Sequence, residues 1–248
     1  MNVVMIVPTG IGCEIGGHCG DGNAAAHLLG ACCETLVLHP NVVNASDINE
    51  MPPNALYVEG NHLDRFLQGK LFLQKVKSNK VLVVVNKADY QSINAVSAAR
   101  ATLGLDAEIL ELKVPLQLIA RMENGIATGD VVHWKELVAQ VKDLEYDALG
   151  IATPITIDSE TLATYWRVGG VNPVGGVEAL ATRLIGEALD KPCAHGPVDY
   201  ALNGFKEVVD PRIAVEIITE NFIHCLLKGL HKAPRLSRES GMSCRDID

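Results

Sequence analysis

The sequence predicts an α/β protein: a largely parallel, Rossmann-like sheet with flanking helices, a small β-hairpin near Asn124-Gly125 and a helical C-terminal third. Three observations predict it. Short apolar runs alternate with helix-like segments, as βα units around a sheet buried on both faces require. The chain has 248 residues, 48% of them hydrophobic, enough to fill a sizeable core. Its last hundred residues carry apolar positions at helical rather than strand spacing.

The strand candidates are Val3–Val7, Thr35–Leu38, Ala55–Val58, Val81–Val85, Ile109–Val114 and Ala148–Ala152. Between them, Asn23–Cys33, His62–Gln68, Gln91–Leu103 and His133–Leu144 read as helices. The stretch from Arg121 to Asp130 is different, because its central Asn124-Gly125 favours a type I′ turn and hence an antiparallel ribbon. Further on, Val177, Leu180, Ala181, Leu184, Ile185 and Ala188 line one helix face, with Asn172 as N-cap and Pro173 in the first helical position. A second long helix starts at Asp210-Pro211, turns Ile213, Ile217, Phe222, Leu226, Leu227 and Leu230 to a core, and ends at Pro234. One α/β domain over residues 1–236, with a possible subdivision near 155–170, is expected to precede a frayed tail at 237–248.

Bulk charge narrows the partners. With a net charge of −9, the chain lacks the clustered Lys and Arg that hold a phosphate backbone, so no nucleic-acid partner is expected. Lys228, Lys232, Arg235 and Arg238 form the only basic cluster and read as a solvated helix end. Seven scattered cysteines do not form a secreted disulfide framework, no apolar run has membrane-spanning length, and the N-terminus has no signal-peptide pattern. A cytoplasmic location without membrane attachment is the expectation.

Chemistry-bearing residues concentrate where strands end. After the first strand, Thr9, Gly10, Gly12, Gly16, Gly17 and His18 form a glycine-rich loop whose N–H groups can approach an anion closely. The spacing departs from the dinucleotide fingerprint, and Leu38-His39-Pro40 stands where an acidic residue would meet a ribose; NAD(P) binding is therefore weakly supported. A phosphate-cradling Gly-Lys-Ser/Thr is lacking, which makes the GTPase-like Asn86-Lys87-Ala88-Asp89 a coincidence. The loop 39–50 follows its strand in the same sense, bringing His39 as a possible acid or base with Asn41, Asn44 and Asp47. A second glycine-rich turn offers Asn172, Gly175, Gly176 and Glu178 at a helix N-terminus, and His195 lies in a constrained turn suited to moving protons. Cys13, inside the first loop near a helix N-terminus, is the candidate nucleophile or second acid/base. The cysteine and histidine spacings match no closed metal framework, so no metal site is expected.

These readings converge on an enzyme that holds a small anionic metabolite at the carboxyl ends of the strands, with isomerase, lyase or hydrolase chemistry by Cys13, His39 and His195. A non-catalytic ligand-binding or assembly module using the same pocket is the alternative, and an NAD(P)-dependent oxidoreductase a third.

Val7-Pro8-Thr9-Gly10-Ile11-Gly12, Ile15-Gly16-Gly17-His18, the run from His39 to Glu50, Ala55-Leu56-Tyr57-Val58-Glu59-Gly60, Asn172-Pro173, Gly175-Gly176-Val177-Glu178 and Val209-Asp210-Pro211-Arg212 together resemble an uncharacterised domain-of-unknown-function family widespread in cyanobacteria. That resemblance spans nearly the whole chain and implies no established reaction. It also implies that members carry an acidic segment where this chain has Asn86 to Asp89, and a further βα segment beyond the equivalent of Asp248. A chain lacking that segment is expected to complete its sheet edge in a homo-oligomer.

Overall fold

The computed structural model describes residues 1–6, 22–39, 51–198 and 222–248. Parallel strands dominate it. In one sheet β1 (Asn2–Met5), β2 (Thr35–Leu38) and β3 (Ala55–Tyr57) lie side by side in chain order. In the other, β5 (Lys80–Val85) is central, flanked by β6 (Asp106–Glu111) and by β9 (Ala148–Ala152), with β11 (Cys193–His195) outside β9. Every pairing in these two sheets is parallel, so their carboxyl ends gather side chains from distant parts of the sequence.

The apolar period of two explains why both faces are covered. Val81, Val83 and Val85 join Leu36, Leu38 and Tyr57 in a core with α1 (Asn23–Gly30), α3 (Tyr90–Leu103) and α7 (Phe222–Leu230). Leu82 and Val84 point the other way, onto α4 (Trp134–Val141) and α6 (Gly175–Leu189). A third cluster sets Val37, Leu56 and Val58 against Leu63 and Phe66 of α2 (Gly60–Leu67).

The strand after α3 starts three residues before the expected Ile109. β6 pairs residue by residue with β5 from Asp106↔Lys80 to Glu111↔Val85. It is an edge strand whose exposed Asp106 and Glu108 alternate with buried Ala107, and this polarity hides it from a search for apolar runs. The antiparallel ribbon does form where Asn-Gly predicts it: β7 (Gln117–Glu123) and β8 (Ile126–Val132) flank Asn124 and Gly125, with φ of 52° and 79°. The short β10 (Ile155–Thr156) extends this ribbon beside β7, and α5 (Ser159–Val168) follows, capped by the Asp158 carboxylate.

The C-terminal segment contradicts the expected frayed tail. β12 (Arg235–Ser237) pairs antiparallel with β4 (Phe72–Gln74), Leu73 bridges to Met242, and Ser243 caps a single turn at Cys244–Asp246. Asp248 then closes on the first strand, donating its N–H to the Asn2 carbonyl at 3.0 Å and accepting from the Asn2 N–H at 2.7 Å. Leu236, Met242 and Ile247 pack on the third cluster; their irregular spacing amid charge conceals an apolar face. Of the long helix expected over 210–234, the described part is α7, whose end is held by Asn79 donating to the Leu230 and Ala233 carbonyls, both at 2.8 Å. Among the described residues, no helix is long and apolar enough to cross a membrane.

α6 lies directly on the β7–β8 ribbon. A Cβ on Gly176 would collide with the Ala127 carbonyl, and one on Gly129 would come within 2.7 Å of Val177. Two glycines therefore let a helix and a ribbon approach backbone to backbone. Gly176→Ala is expected to lower the unfolding free energy by about 3 kcal/mol, since neither backbone can yield. Gly125→Ala, which meets only a left-handed backbone with open space around it, should lower it by about 1 kcal/mol. Urea unfolding of both variants measures the difference.

Candidate functional site

Three strand ends contribute to one line of polar contacts, and a fourth lies beside it. β3 runs through Val58 into Glu59, which caps α2: its Oε2 accepts the Asn61 N–H at 3.1 Å. β11 ends at His195, and Thr153 follows β9 directly. β2 leads into His39, whose ring lies where a Cβ on Gly60 would stand 2.9 Å from its Nε2. Across these ends lies the first half of α6, which carries Glu178 in its first turn and Thr182 one turn later.

Glu178 and Thr182 sew the line together. His195 Nδ1 is 2.8 Å from Glu178 Oε1, while His195 Nε2 is 3.1 Å from both the hydroxyl and the carbonyl oxygen of Thr153. Thr182 Oγ1 is 3.0 Å from Glu59 Oε1 and also reaches the Glu178 carbonyl at 3.1 Å. A carboxylate only accepts, so Nδ1 carries the proton shared with Glu178. Nε2 is then free either to accept from the Thr153 hydroxyl or, when protonated, to donate to the Thr153 carbonyl.

Accessibility separates the roles. The His195 side chain is 1% exposed and Thr153 is fully buried, whereas the Glu178 side chain is 23% exposed. The end of this relay open to a guest is therefore the carboxylate. Sequence reasoning gives His195 the moving proton and Glu178 a ligand-holding part; the structure joins the two at 2.8 Å and leaves Glu178 as the exposed member of the pair.

Glu59 behaves differently. Burial pushes its carboxyl up to about 7, against the opposing pull of hydrogen bonds from Asn61 and Thr182. The Thr182 hydroxyl has a single proton for three nearby acceptors: Glu59 Oε1 and the Glu178 and Ala179 carbonyls. When that proton turns to a helix carbonyl, Thr182 accepts from a protonated Glu59; when Glu59 ionises, the hydroxyl turns to it. Burial likewise holds the neighbouring Tyr57 phenol well above its usual range, reinforced by Glu59, and pushes the Cys193 thiol up. His39 and His62 are both pulled down to about 4 by burial, with Arg65 adding to the shift at His62. His62 Nδ1 is 3.6 Å from Glu59 Oε2, a contact between a neutral ring and a carboxyl rather than an ion pair.

The remaining expected residues divide by position. Asn172 Oδ1 accepts from the Val174 N–H at 3.0 Å, so its side chain shapes the turn into α6, which begins at Gly175 rather than Pro173. Gly176 is accounted for by its contact with the ribbon, and Gly175 stands beside it at the helix start. Thr9, Gly10, Gly12, Cys13, Gly16, Gly17, His18, Asn41, Asn44 and Asp47 lie outside the described residues. Sequence reasoning missed Glu59, Thr153 and Thr182; for Glu59 the available signal was an acidic residue immediately beyond a fully apolar strand. Among the described residues, no group of three or more His, Cys, Asp or Glu is arranged to hold a metal ion.

The raised Glu59 carboxyl makes a signed prediction. Between its unfolded value near 4.5 and its folded value of about 7, the native state holds the extra proton, so this contribution is present at low pH and lost as pH rises. The buried imidazoles of His39 and His62 titrate oppositely and are present in wild type and variant alike. Glu59→Gln should gain about 3 kcal/mol relative to the wild type between about pH 4.5 and about pH 8. Urea unfolding at both pH values reads this gain; a constant difference contradicts it.

Comparison with known proteins places the chain in context. A family model described as a protein of unknown function (DUF3326) matches residues 2–247. An uncharacterized lipoprotein of Synechococcus sp. is 32% identical over 244 residues, covering 94% of this chain and 68% of the relative. No solved structure matches. With nearly its full length matched, this chain belongs to the DUF3326 family of unknown function.

Proposed function

We propose that the protein is an enzyme that transfers protons on a small anionic metabolite at the carboxyl edge of its sheets, in isomerase, lyase or hydrolase chemistry. The observation that carries this reading is the partly exposed Glu178 carboxylate held 2.8 Å from a buried imidazole that itself has an alternative donor and acceptor behind it. Such a carboxylate can take a proton from carbon or from water, and the histidine steadies the charge it gains or loses.

Two features support an anionic substrate. α2 and α6 both begin at this edge, so two positive helix ends face it. Glu59 retains a proton up to near neutrality, which limits the negative charge the edge already carries. The reading includes a cytoplasmic homo-oligomer. Among the described residues, the free Cys32, Cys33, Cys193 and Cys244 agree with a reducing compartment, while the lipoprotein name of the relative points to a membrane; fractionation of the native cell separates the two.

A non-catalytic ligand-binding module is favoured by one observation: both His195 nitrogens are engaged and Thr153 is fully buried, as befits a fixed wall. Small molecules that co-purify with the protein, identified by mass spectrometry and returned as substrates, distinguish the readings. The enzyme reading expects Glu178→Gln to keep the bound metabolite but lose turnover by about a hundredfold or more. Binding without any turnover by the wild type supports the module instead, and failure to retain or bind any metabolite overturns both.

A further inference from the structure

We propose that the hollow at the amino ends of β2 and β3, ringed by Lys75, Lys77 and Lys232, is a second binding site that takes a phosphate-class oxyanion. It lies at the opposite ends of these strands from Glu59 and His39. Its volume is about 190 Å³, and Pro53, Asn54, Ala55, Leu56 and Val76 complete its wall. At roughly 30 Å³ per water molecule, the space admits a phosphate group with water to spare.

Charge is the stronger argument. The chain has 21 Lys and Arg against 30 Asp and Glu, yet this lining contains three lysines and no acid. Three acids on adjoining segments are paired elsewhere. Glu34, one residue before β2, lies 3.6 Å from the N-terminal ammonium; Asp147 meets Arg235 at 2.9 Å; Glu108 meets Lys80 at 3.2 Å. Lys75 Nζ donates to the Thr35 hydroxyl at 2.7 Å, which fixes its direction without neutralising it. Among the described residues, Lys77 and Lys232 have no counter-charge. Three lysines lining one hollow without an acid make its potential positive, and a multiply charged oxyanion is the ligand such a potential attracts most.

The wall is also held in place. Asn54 donates its side-chain amide to the Gly30 and Cys33 carbonyls, each at 2.9 Å, so the rim between α1 and β3 is tied down before any ligand arrives. Lysine binds phosphate as a point charge with three donors, and three such groups can share the oxygens of a single phosphate. The ligand is a free phosphate compound or the phosphate of a lipid head group; both offer the same oxygens.

Calorimetric titration with inorganic phosphate and inorganic pyrophosphate, and sedimentation with phosphatidylglycerol vesicles, test the proposal on the full chain. One saturable site is expected on the wild type, weakened about tenfold or more in Lys77→Gln/Lys232→Gln, a pair that keeps the aliphatic stems. Lys113→Gln/Lys142→Gln removes the same charge from exposed positions elsewhere and should leave binding unchanged. Dependence on Lys77 and Lys232 with free phosphate assigns a soluble ligand, and the same dependence with vesicles alone assigns a lipid head group. No binding in any arm, or equal loss in both double variants, overturns the site.

Discussion

The close approach of α6 to the β7–β8 ribbon organises the carboxyl edge. Gly176 meets the Ala127 backbone without a side chain between them, and Val177 packs against Gly129 in the next position. Residues one, two and six places after Gly176 then fall where the fold uses them: Val177 in the core, Glu178 against His195, Thr182 against Glu59. Moving the helix outward by the width of a methyl group would part contacts whose lengths are 2.8 and 3.0 Å. A packing constraint in the core thus sets the geometry of polar groups at the carboxyl edge.

Those polar groups form a graded series. His195 and Thr153 are buried and satisfied, Glu59 is buried with a carboxyl that titrates near neutrality, and Glu178 reaches solvent. Burial of polar side chains is favourable only where partners are supplied, and here most are. Among the described residues, several atoms nearby lack one, including Asn61 Nδ2, His39 Nδ1 and both His62 ring nitrogens. All are on or beside the first turn of α2, next to Glu59.

Much of the fold was legible because the central strands are apolar on both faces. Thr35–Leu38 and Ala148–Ala152 are found as predicted, and Asn124-Gly125 makes its turn because both residues tolerate a positive φ. Edge elements were less legible. The first half of β6 alternates Asp106 and Glu108 with Ala107 and so escapes a search for apolar runs, β4 and β12 have only three residues each, and the C-terminal segment mixes its few apolar anchors with charge. Pairing partners distant in sequence, rather than local pattern, make these strands.

The site was legible in part. Strand ends and helix starts mark where ligands collect, and that rule singled out His39, Glu178 and His195. It did not say which nitrogen meets which oxygen, nor that Glu178 rather than His195 is the solvent-exposed member of the pair. Glu59 and Thr182 sit more than a hundred residues apart, and only the packing of α2 against α6 joins them. A double-mutant cycle on Glu178→Ala and His195→Ala, read by chemical unfolding, tests the central contact most directly. A coupling energy of at least about 1 kcal/mol is the result this geometry predicts, and strict additivity of the two substitutions would contradict it.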